Sequence, residues 1–445
     1  MKRRYFIETF GCQMNVNDSE KVAGTLQAQG YDPVDRVEAA DVVFINTCAV
    51  RERAAEKLFH ALGRLRKRKR ARKDFQIAVG GCVAQLHGRS ILDRAPDVDV
   101  LVGTHTLARV PELLEESRNR GTRAIDLDRD ANAFSVPPER VAHTNAVRAF
   151  ITVMEGCNHV CSFCVVPRTR GPEVNRPPAD VVAEAESVVA RGVPEVMLLG
   201  QTVNAYRYQD LDFVGLLARV HAVPGLRRLR FTTSHPEHVT VSLARAWREL
   251  PRLCPYLHLP VQSGSDRVLA SMRRGYTRAH YLDQVAMLRA ESPQLAISTD
   301  IIVGYPGESA SDFEATVSLV DQVGFDALFA FAYSARPGTT AQRLPDDVPE
   351  DEKRRRLQVL NALQQRRQAL RNARRVGEQV EILVEESTLR EAVGRTPDFR
   401  VVHAVGHASP GEVARVSITA SGPNSLRGEL TPTNSLTVGS AVPIL

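Results

Sequence analysis

The sequence predicts an α/β protein in three parts: a parallel α/β domain over residues 1–135, an open (β/α)6 partial barrel over 143–375 and a small β-barrel over 376–445. Three observations carry this. Strand-like and helical stretches alternate through residues 1–135, six strand-like runs separated by helical ones lie between 150 and 333, and the last seventy residues switch to short β runs broken by glycine. Alternation of β and α calls for parallel strands with helices on both faces. Six such units fall short of the eight that close a full barrel.

In the first part, Tyr5–Phe10 reads as a strand and Asp18–Gln29 as a helix capped at Asn17 or Asp18. Asp41–Asn46 is a buried strand, followed by a long helix from Arg51 through a basic run. Phe75–Gly80 and Val98–Gly103 are the next strands, and 131–145, with Pro137-Pro138, is a linker. In the second part the strands are Phe150–Met154, Val196–Leu199, Leu229–Thr233, Tyr256–Val261, Ala296–Val303 and Ala327–Tyr333, with helices such as Ala179–Ala190 and Asp312–Val323 between them. A basic helix over Asp351–Arg375, with Leu357, Leu360, Leu363 and Leu370 on one face, should pack on the barrel and expose its arginines. Short strands at Val380–Val384, Val401–His403, Val413–Ile418 and near Val442 complete the chain.

With 445 residues and 43% hydrophobic content, the chain can bury two or three real cores. No run reaches the ~18 apolar residues of a membrane span, and the basic start lacks an apolar signal-peptide core. We therefore expect a cytoplasmic protein, and a monomer. Seven cysteines in a reducing compartment point to metal ligation rather than disulfides. The net charge of +6 hides a concentration: residues 64–73 hold eight basic side chains and residues 353–375 hold nine, with no acid in either segment. Such crowding favours a polyanion such as RNA, although one run alone is as readily a solvated helix face.

Cys157, Cys161 and Cys164 form a C-x3-C-x2-C loop directly after the strand-like Phe150–Met154. Three thiolates on one loop can hold a 4Fe-4S cube and leave one iron open, whereas structural zinc wants four ligands. His159 lies inside the spacing and does not supply the separated histidine pair of a zinc finger. Cys12, Cys48 and Cys82 each follow a strand of the first domain, and parallel strands place their carboxyl ends on one edge, where ligands bind. Three cysteines at equivalent strand ends predict a second three-cysteine cluster rather than three inert core thiols. Cys254 has no cysteine neighbour and reads as an ordinary thiol.

The stretch Cys157-Asn158-His159-Val160-Cys161-Ser162-Phe163-Cys164-Val165-Val166-Pro167-Arg168-Thr169-Arg170-Gly171 resembles the radical S-adenosylmethionine methylthiotransferases. Gly11-Cys12-Gln13-Met14-Asn15, Asn46-Thr47-Cys48-Ala49-Val50-Arg51-Glu52 and Gly80-Gly81-Cys82-Val83-Ala84-Gln85 resemble the amino-terminal domain of that family. Among its branches they are most similar to the tRNA-2-methylthio-N6-dimethylallyladenosine synthases. Gly394–Val402 is similar to the word of a TRAM-type RNA-binding barrel, although the last seventy residues carry five arginines against eight acids.

The resemblance implies two 4Fe-4S clusters, a radical one at Cys157, Cys161 and Cys164 and an auxiliary one at Cys12, Cys48 and Cys82, with S-adenosylmethionine as radical source and methyl donor. It implies cofactor contacts from Gln201, Asn204, Ser234, Gln262, Asp300 and Gly304 at the barrel strand ends, with no residue acting as acid or base. RNA contact falls to Arg395, Phe399 and Arg400. The implied reaction converts N6-isopentenyladenosine beside the tRNA anticodon, at position 37, to its 2-methylthio derivative, with electrons from a donor such as flavodoxin or ferredoxin. Rival readings are a methylthiotransferase for threonylcarbamoyladenosine or for ribosomal protein S12, and, outside enzymes, an iron-sulfur RNA-binding or redox-sensing protein.

Overall fold

The structure, a computed structural model, describes residues 2–49, 52–129 and 134–431, with the side chains of 52–55 left aside. The expected strand near Val442 lies outside these residues. The chain divides into two compact units, 1–361 and 362–445.

The first unit begins with a six-stranded all-parallel sheet. Its elements are β1 (Arg4–Phe10), α1 (Gln13–Ala28), β2 (Asp32–Pro33), β3 (Val42–Thr47), α2 (Glu52–Ala71), β4 (Gln76–Gly81), α3 (Cys82–His87), β5 (Val100–Val102), α4 (Val110–Arg120) and β6 (Ala124–Asp126). The strand order is β2-β1-β3-β4-β5-β6. All six residues of β3 and of β4 are buried, as expected of central parallel strands covered on both faces. Val43, Ile45, Ile77 and Val79 pack with Leu58, Leu62 and Leu65 of α2 on one face; Val42, Phe44, Ala78 and Val100 pack with Val22 and Leu26 of α1 and Leu113 and Leu114 of α4 on the other. The sequence reading missed the short edge strands β2 and β6.

Helix α1 starts at Gln13, five residues before the expected position. Cys12 occupies the cap, its backbone N–H donating to Asn15 Oδ1 at 3.4 Å. Asn17 and Asp18, read as caps, are instead buried in the helix. Polar residues there signalled a helix start only because nothing local shows that this face is covered.

Six further strands follow: β7 (Arg148–Thr152), β8 (Glu195–Leu199), β9 (Arg228–Thr232), β10 (Tyr256–His258), β11 (Ala296–Val303) and β12 (Ala327–Ala332). They form two three-stranded parallel sheets, β9-β8-β7 and β10-β11-β12. At the carboxyl end the Ser234 N–H donates to His258 O at 3.3 Å, linking one sheet to the other. Among the described residues β7 and β12 are not paired, so the arrangement is the open six-stranded barrel that the sequence predicts. Helices α5 (Pro178–Ala190), α6 (Phe213–His221), α7 (Val241–Glu249), α8 (Arg278–Glu291) and α9 (Ala310–Val323) alternate with these strands. Among the described residues no helix is long and apolar enough to cross a membrane.

The basic helix is α10 (Glu350–Ala373). Its arginines are not all exposed as expected: Arg356 is buried against Glu308 and Glu352, and Lys353 against Asp346 and Glu350. Leu360 is buried, whereas Leu370 is exposed.

The second unit contains a closed antiparallel and parallel barrel of β13 (Gln379–Ser387), β14 (Glu391–Arg395), β15 (Val401–Val405), β16 (Val413–Ser421) and β17 (Ser425–Leu430). Ile382, Val384, Val402, Val416, Ile418 and Leu426 fill it. Closure removes the exposed edges that such short strands would otherwise present.

Candidate active site

The loop triad is built around Gly156, whose φ of +80° and whose approach to Pro172 O leave no room for a Cβ. Cys157 follows, its N–H donating to Gly171 O at 3.3 Å and its Sγ lying 3.3 Å from Thr202 Oγ1. Arg274 Nη1 donates to Cys161 Sγ at 3.3 Å, while its Nε donates to Tyr276 Oη and its Nη2 to Pro260 O, both at 3.0 Å. The Val166 N–H donates to Cys164 Sγ at 3.4 Å. Between the last two cysteines, Ser162 Oγ donates to Ser271 O at 2.9 Å, and Phe163 packs against Val268, Met272 and Tyr305. Burial pushes the Cys164 thiol up to about 12 and also raises Cys157, against the pull of Thr202. The Cys157 and Cys164 thiols, costly to ionise where they are buried, and three thiolates that would repel one another suit a cationic iron centre.

The remote triad lies at the carboxyl edge of the six-stranded sheet. Cys12 follows β1, Cys48 follows β3 with its N–H donating to Phe10 O at 2.9 Å, and Cys82 opens α3 after β4. Gly81, at φ +88°, precedes Cys82 because a Cβ would strike Asn46 Oδ1 and Thr47 O. Asn46 in turn is held by Asn15, whose Nδ2 donates to it at 3.1 Å. The Cys12 thiol is drawn down to about 6 by its hydrogen bond with Cys48, while burial raises Cys82 against the nearby Arg170 charge. The predicted meeting of three residues more than thirty positions apart is thus present, and among the described residues no disulfide joins any of them.

Between the triads runs a buried charge network that the sequence reading missed. Arg170, 2% exposed, pairs with both oxygens of Asp18 on α1 and with Glu155 at 3.4 Å. Lys21 reaches Glu155 at 3.1 Å. Burial alone would raise the Glu155 carboxyl, but Lys21 and Arg170 outweigh it and hold it below the usual range. Thr152 Oγ1 on β7 donates to Asn17 Oδ1 at 2.7 Å, Asn17 Nδ2 donates to Phe150 O at 2.8 Å, and His105 Nε2 contacts Arg170 O at 3.0 Å. The two carboxyl edges therefore face each other, with Arg170 lying beside Cys82 and only six residues after Cys164.

The residues expected to touch S-adenosylmethionine divide by what their side chains already do. Gln201 Oε1 and Ser234 Oγ are buried with no hydrogen-bond partner, which is what an absent polar ligand leaves behind. Asp300 lies with Oδ2 3.4 Å from His258 Nε2. The Gln262 N–H donates to Asp300 O and its carbonyl accepts from Ile302 N–H, each at 2.9 Å. Asn204 is occupied by the backbone of His235, donating to its O and accepting from its N–H. Gly304, at φ +68°, packs against Lys353 and donates its N–H to Glu308. Thr202 and Arg274, which touch the cysteine sulfurs, were not singled out from sequence; the doubled arginine before Gly275 was the available signal.

In the second unit Arg395 stacks over the Phe399 ring at 4.6 Å, and Phe399 sits at φ +72° in the turn between β14 and β15. Arg400 is engaged by Asp398 at 2.9 Å and Asn372 at 2.6 Å.

Three family models match in chain order: an uncharacterised protein family, UPF0004, over residues 4–103, the radical SAM superfamily over 151–320 and the TRAM domain over 373–431. Among solved structures, the radical S-adenosylmethionine methyltransferase TsrM from Kitasatospora setae is similar with a TM-score of 0.57 at 14% identity, covering 77% of this chain and 74% of that one. The radical enzyme OxsB follows with a TM-score of 0.51 at 10% identity, covering 77% and 54%. These likenesses establish the fold. Closer in sequence are tRNA-2-methylthio-N(6)-dimethylallyladenosine synthases. That of Bordetella petrii is 46% identical, covering 99% of this chain and 94% of its own. Those of Chromobacterium violaceum and Cereibacter sphaeroides are each 47% identical, covering 96% of this chain and 98% of their own. At that identity along nearly the whole length, the chain belongs to the tRNA-2-methylthio-N(6)-dimethylallyladenosine synthase family.

Proposed function

We propose that this protein is the radical S-adenosylmethionine methylthiotransferase that acts on tRNA, with its six clustered cysteines divided between two 4Fe-4S clusters. It converts N6-isopentenyladenosine at position 37, beside the anticodon, to 2-methylthio-N6-isopentenyladenosine by removal of the C2 hydrogen, insertion of sulfur and methyl transfer. When bound, S-adenosylmethionine at the loop cluster supplies the radical and the methyl group, and the auxiliary cluster supplies the sulfur. The observation that carries this reading is the pair of three-sulfur sets at the carboxyl edges of two parallel sheets, with Arg170 paired to Asp18 of α1 and to Glu155 just after β7 and lying beside Cys82. One set alone would support radical chemistry but leave the inserted sulfur without a holder.

In this assignment Cys157, Cys161 and Cys164 ligate the radical cluster, and Cys12, Cys48 and Cys82 the auxiliary one. Thr202 and Arg274 orient Cys157 and Cys161 and offset their negative charge. Gln201 and Ser234 would bind polar groups of S-adenosylmethionine through their unpaired oxygens, with Gln262, Asp300, Asn204 and Gly304 shaping the mouth. Arg170, Asp18, Glu155 and Lys21 fix one edge against the other and exclude water from the space between. Residues 1–135 then serve sulfur supply, 143–375 radical chemistry and 376–445 tRNA contact. In the last part, the stacked Arg395 and Phe399 offer a face to an unpaired base, with Arg400 holding the turn. A flavodoxin or ferredoxin would supply electrons to a cytoplasmic monomer.

The test is an anaerobic assay with reconstituted protein, S-adenosylmethionine, reductant and isopentenylated tRNA, with nucleosides identified by mass spectrometry. The reading predicts 2-methylthio-N6-isopentenyladenosine. No product from that tRNA, with thiolation of a threonylcarbamoylated tRNA or of ribosomal protein S12, would overturn the substrate assignment.

A further inference from the structure

Apart from the cysteines, His159, His235, Glu237 and His238 form a group of metal-competent side chains among the described residues, with donor atoms all within 4.8 Å of one another. They come from two places. His159 sits in the loop between Cys157 and Cys161, and the other three follow β9 in His235-Pro236-Glu237-His238. His159 Nε2 is 3.0 Å from His238 Nε2, and His159 Nδ1 is 3.6 Å from a Glu237 carboxylate oxygen, Oε2. His235 Nδ1 accepts from the Glu237 backbone N–H at 3.3 Å, which leaves Nε2 as its available donor atom, and the His159 and His235 rings stack with centroids 4.0 Å apart. A tetrahedral ion about 2.1 Å from each donor sets donor separations of about 3.4 Å, and one donor atom from each of the four residues, all within 4.8 Å of one another, reaches that spacing by side-chain rotation.

A second observation points to a missing partner. His235 is 5% exposed, and its Nε2 is buried without a hydrogen-bond acceptor or donor. A buried imidazole nitrogen left unpaired is costly unless something binds it. The close contact between His159 and His238 requires one shared proton, since two bare nitrogen lone pairs at 3.0 Å would repel. The neighbouring cation, Arg274, is directed at Cys161 Sγ, Tyr276 and Pro260 O rather than at these donors.

We propose that His159, His235, Glu237 and His238 form a binding site for a divalent transition ion of the zinc class. Three imidazoles and one carboxylate suit such an ion better than magnesium or calcium, which prefer all-oxygen shells. Binding takes up one M2+ on neutral imidazoles: the proton now between His159 and His238 moves to the nitrogen of its own ring that faces away from the ion, and no electron moves. The ion pins the middle of the cysteine loop to the segment after β9, so that the loop holding three sulfurs is fixed at both its flanks and its centre. Its role is positional, and it stands apart from the two cysteine triads.

The experiment uses full-length protein with both clusters reconstituted, freed of loose metal and dialysed against one equivalent of Zn2+. Wild type should retain about one zinc per chain, bound with nitrogen and oxygen neighbours only in X-ray absorption at the zinc edge. His238→Ala should bind zinc at least ~10-fold more weakly, with iron and sulfide contents unchanged. Glu237→Gln, a change at a half-exposed position that folding tolerates, should weaken binding in the same direction. Equal zinc retention by wild type and both variants, no retention by wild type, or sulfur neighbours at the zinc would each overturn the proposal.

Discussion

The two cysteine triads occupy equivalent places, each at the carboxyl edge of a parallel sheet, yet they are held differently. The loop triad hangs on one short segment and is steered by single contacts from Thr202 and Arg274. The remote triad is assembled from three strand ends, with Cys48 and Cys82 buried and Asn15 and Asn46 locked behind them. Local spacing makes the first set a feature of the sequence. The second exists only when the sheet has formed, so its integrity depends on packing far from any cysteine. The difference teaches that perturbing the buried framework should remove the remote set while sparing the loop.

The sharpest way to break this comparison is Arg170→Met. It leaves Asp18 and Glu155 buried with one cation removed, which should cost about 3–5 kcal/mol by chemical denaturation. Iron loss should then begin at the remote triad. An unchanged midpoint would show that the edges are held by packing alone.

Next comes pH. His143, whose side chain is 1% exposed, lies 2.9 Å from Glu184 and 3.3 Å from Glu20, joining α5 to α1. Burial alone would lower its affinity for a proton, but the two carboxylates outweigh that and raise it to about 9. The folded state therefore favours the charged ring. Its contribution, on the order of 3 kcal/mol, is complete below about pH 6.5 and is lost as pH climbs towards about 9. His143→Gln should flatten stability across that window; a wild-type stability already flat there would contradict the assignment.

Arg274→Met sharpens the loop side. With iron content preserved, loss of a charged donor to Cys161 should make the reduction potential of the loop cluster more negative in an EPR-monitored titration. A potential that stays put would reduce Arg274 to a packing residue.

The smallest effect concerns the basic run. Arg64, Arg66, Arg68, Lys69 and Arg72 are engaged by Glu8, Asp97, backbone carbonyls, Asp99 and Asp41 respectively, so much of that charge is spent inside the first unit. Exposed Lys67, Arg70 and Lys73 remain for a polyanion. Changing these three to glutamine should lower the salt slope of tRNA binding by about two and shift stability by less than about 0.5 kcal/mol. An unchanged slope would make the whole run a solvated face.

Much of the site was legible because its signals are either local or topological. C-x3-C-x2-C is read directly, and Cys12, Cys48 and Cys82 could be joined because parallel strands share an edge. Asp18, Lys21, Glu155 and Arg170 were not legible, since they meet across more than 130 residues and α1 carries polar residues on a covered face. Asn17 looked like a cap for the same reason: only the fold reveals that β7 lies against it. In the second unit, β14 and β17 escaped notice because glycine interrupts each strand.

The division of labour between the triads is tested most directly by Cys82→Ala, followed for iron content, S-adenosylmethionine cleavage and methylthiolation of isopentenylated tRNA together. We predict a fall from about eight irons per chain to about four, cleavage that continues, and no methylthiolated product. About eight irons with product still formed would contradict the assignment of Cys82, and with it the two-cluster account.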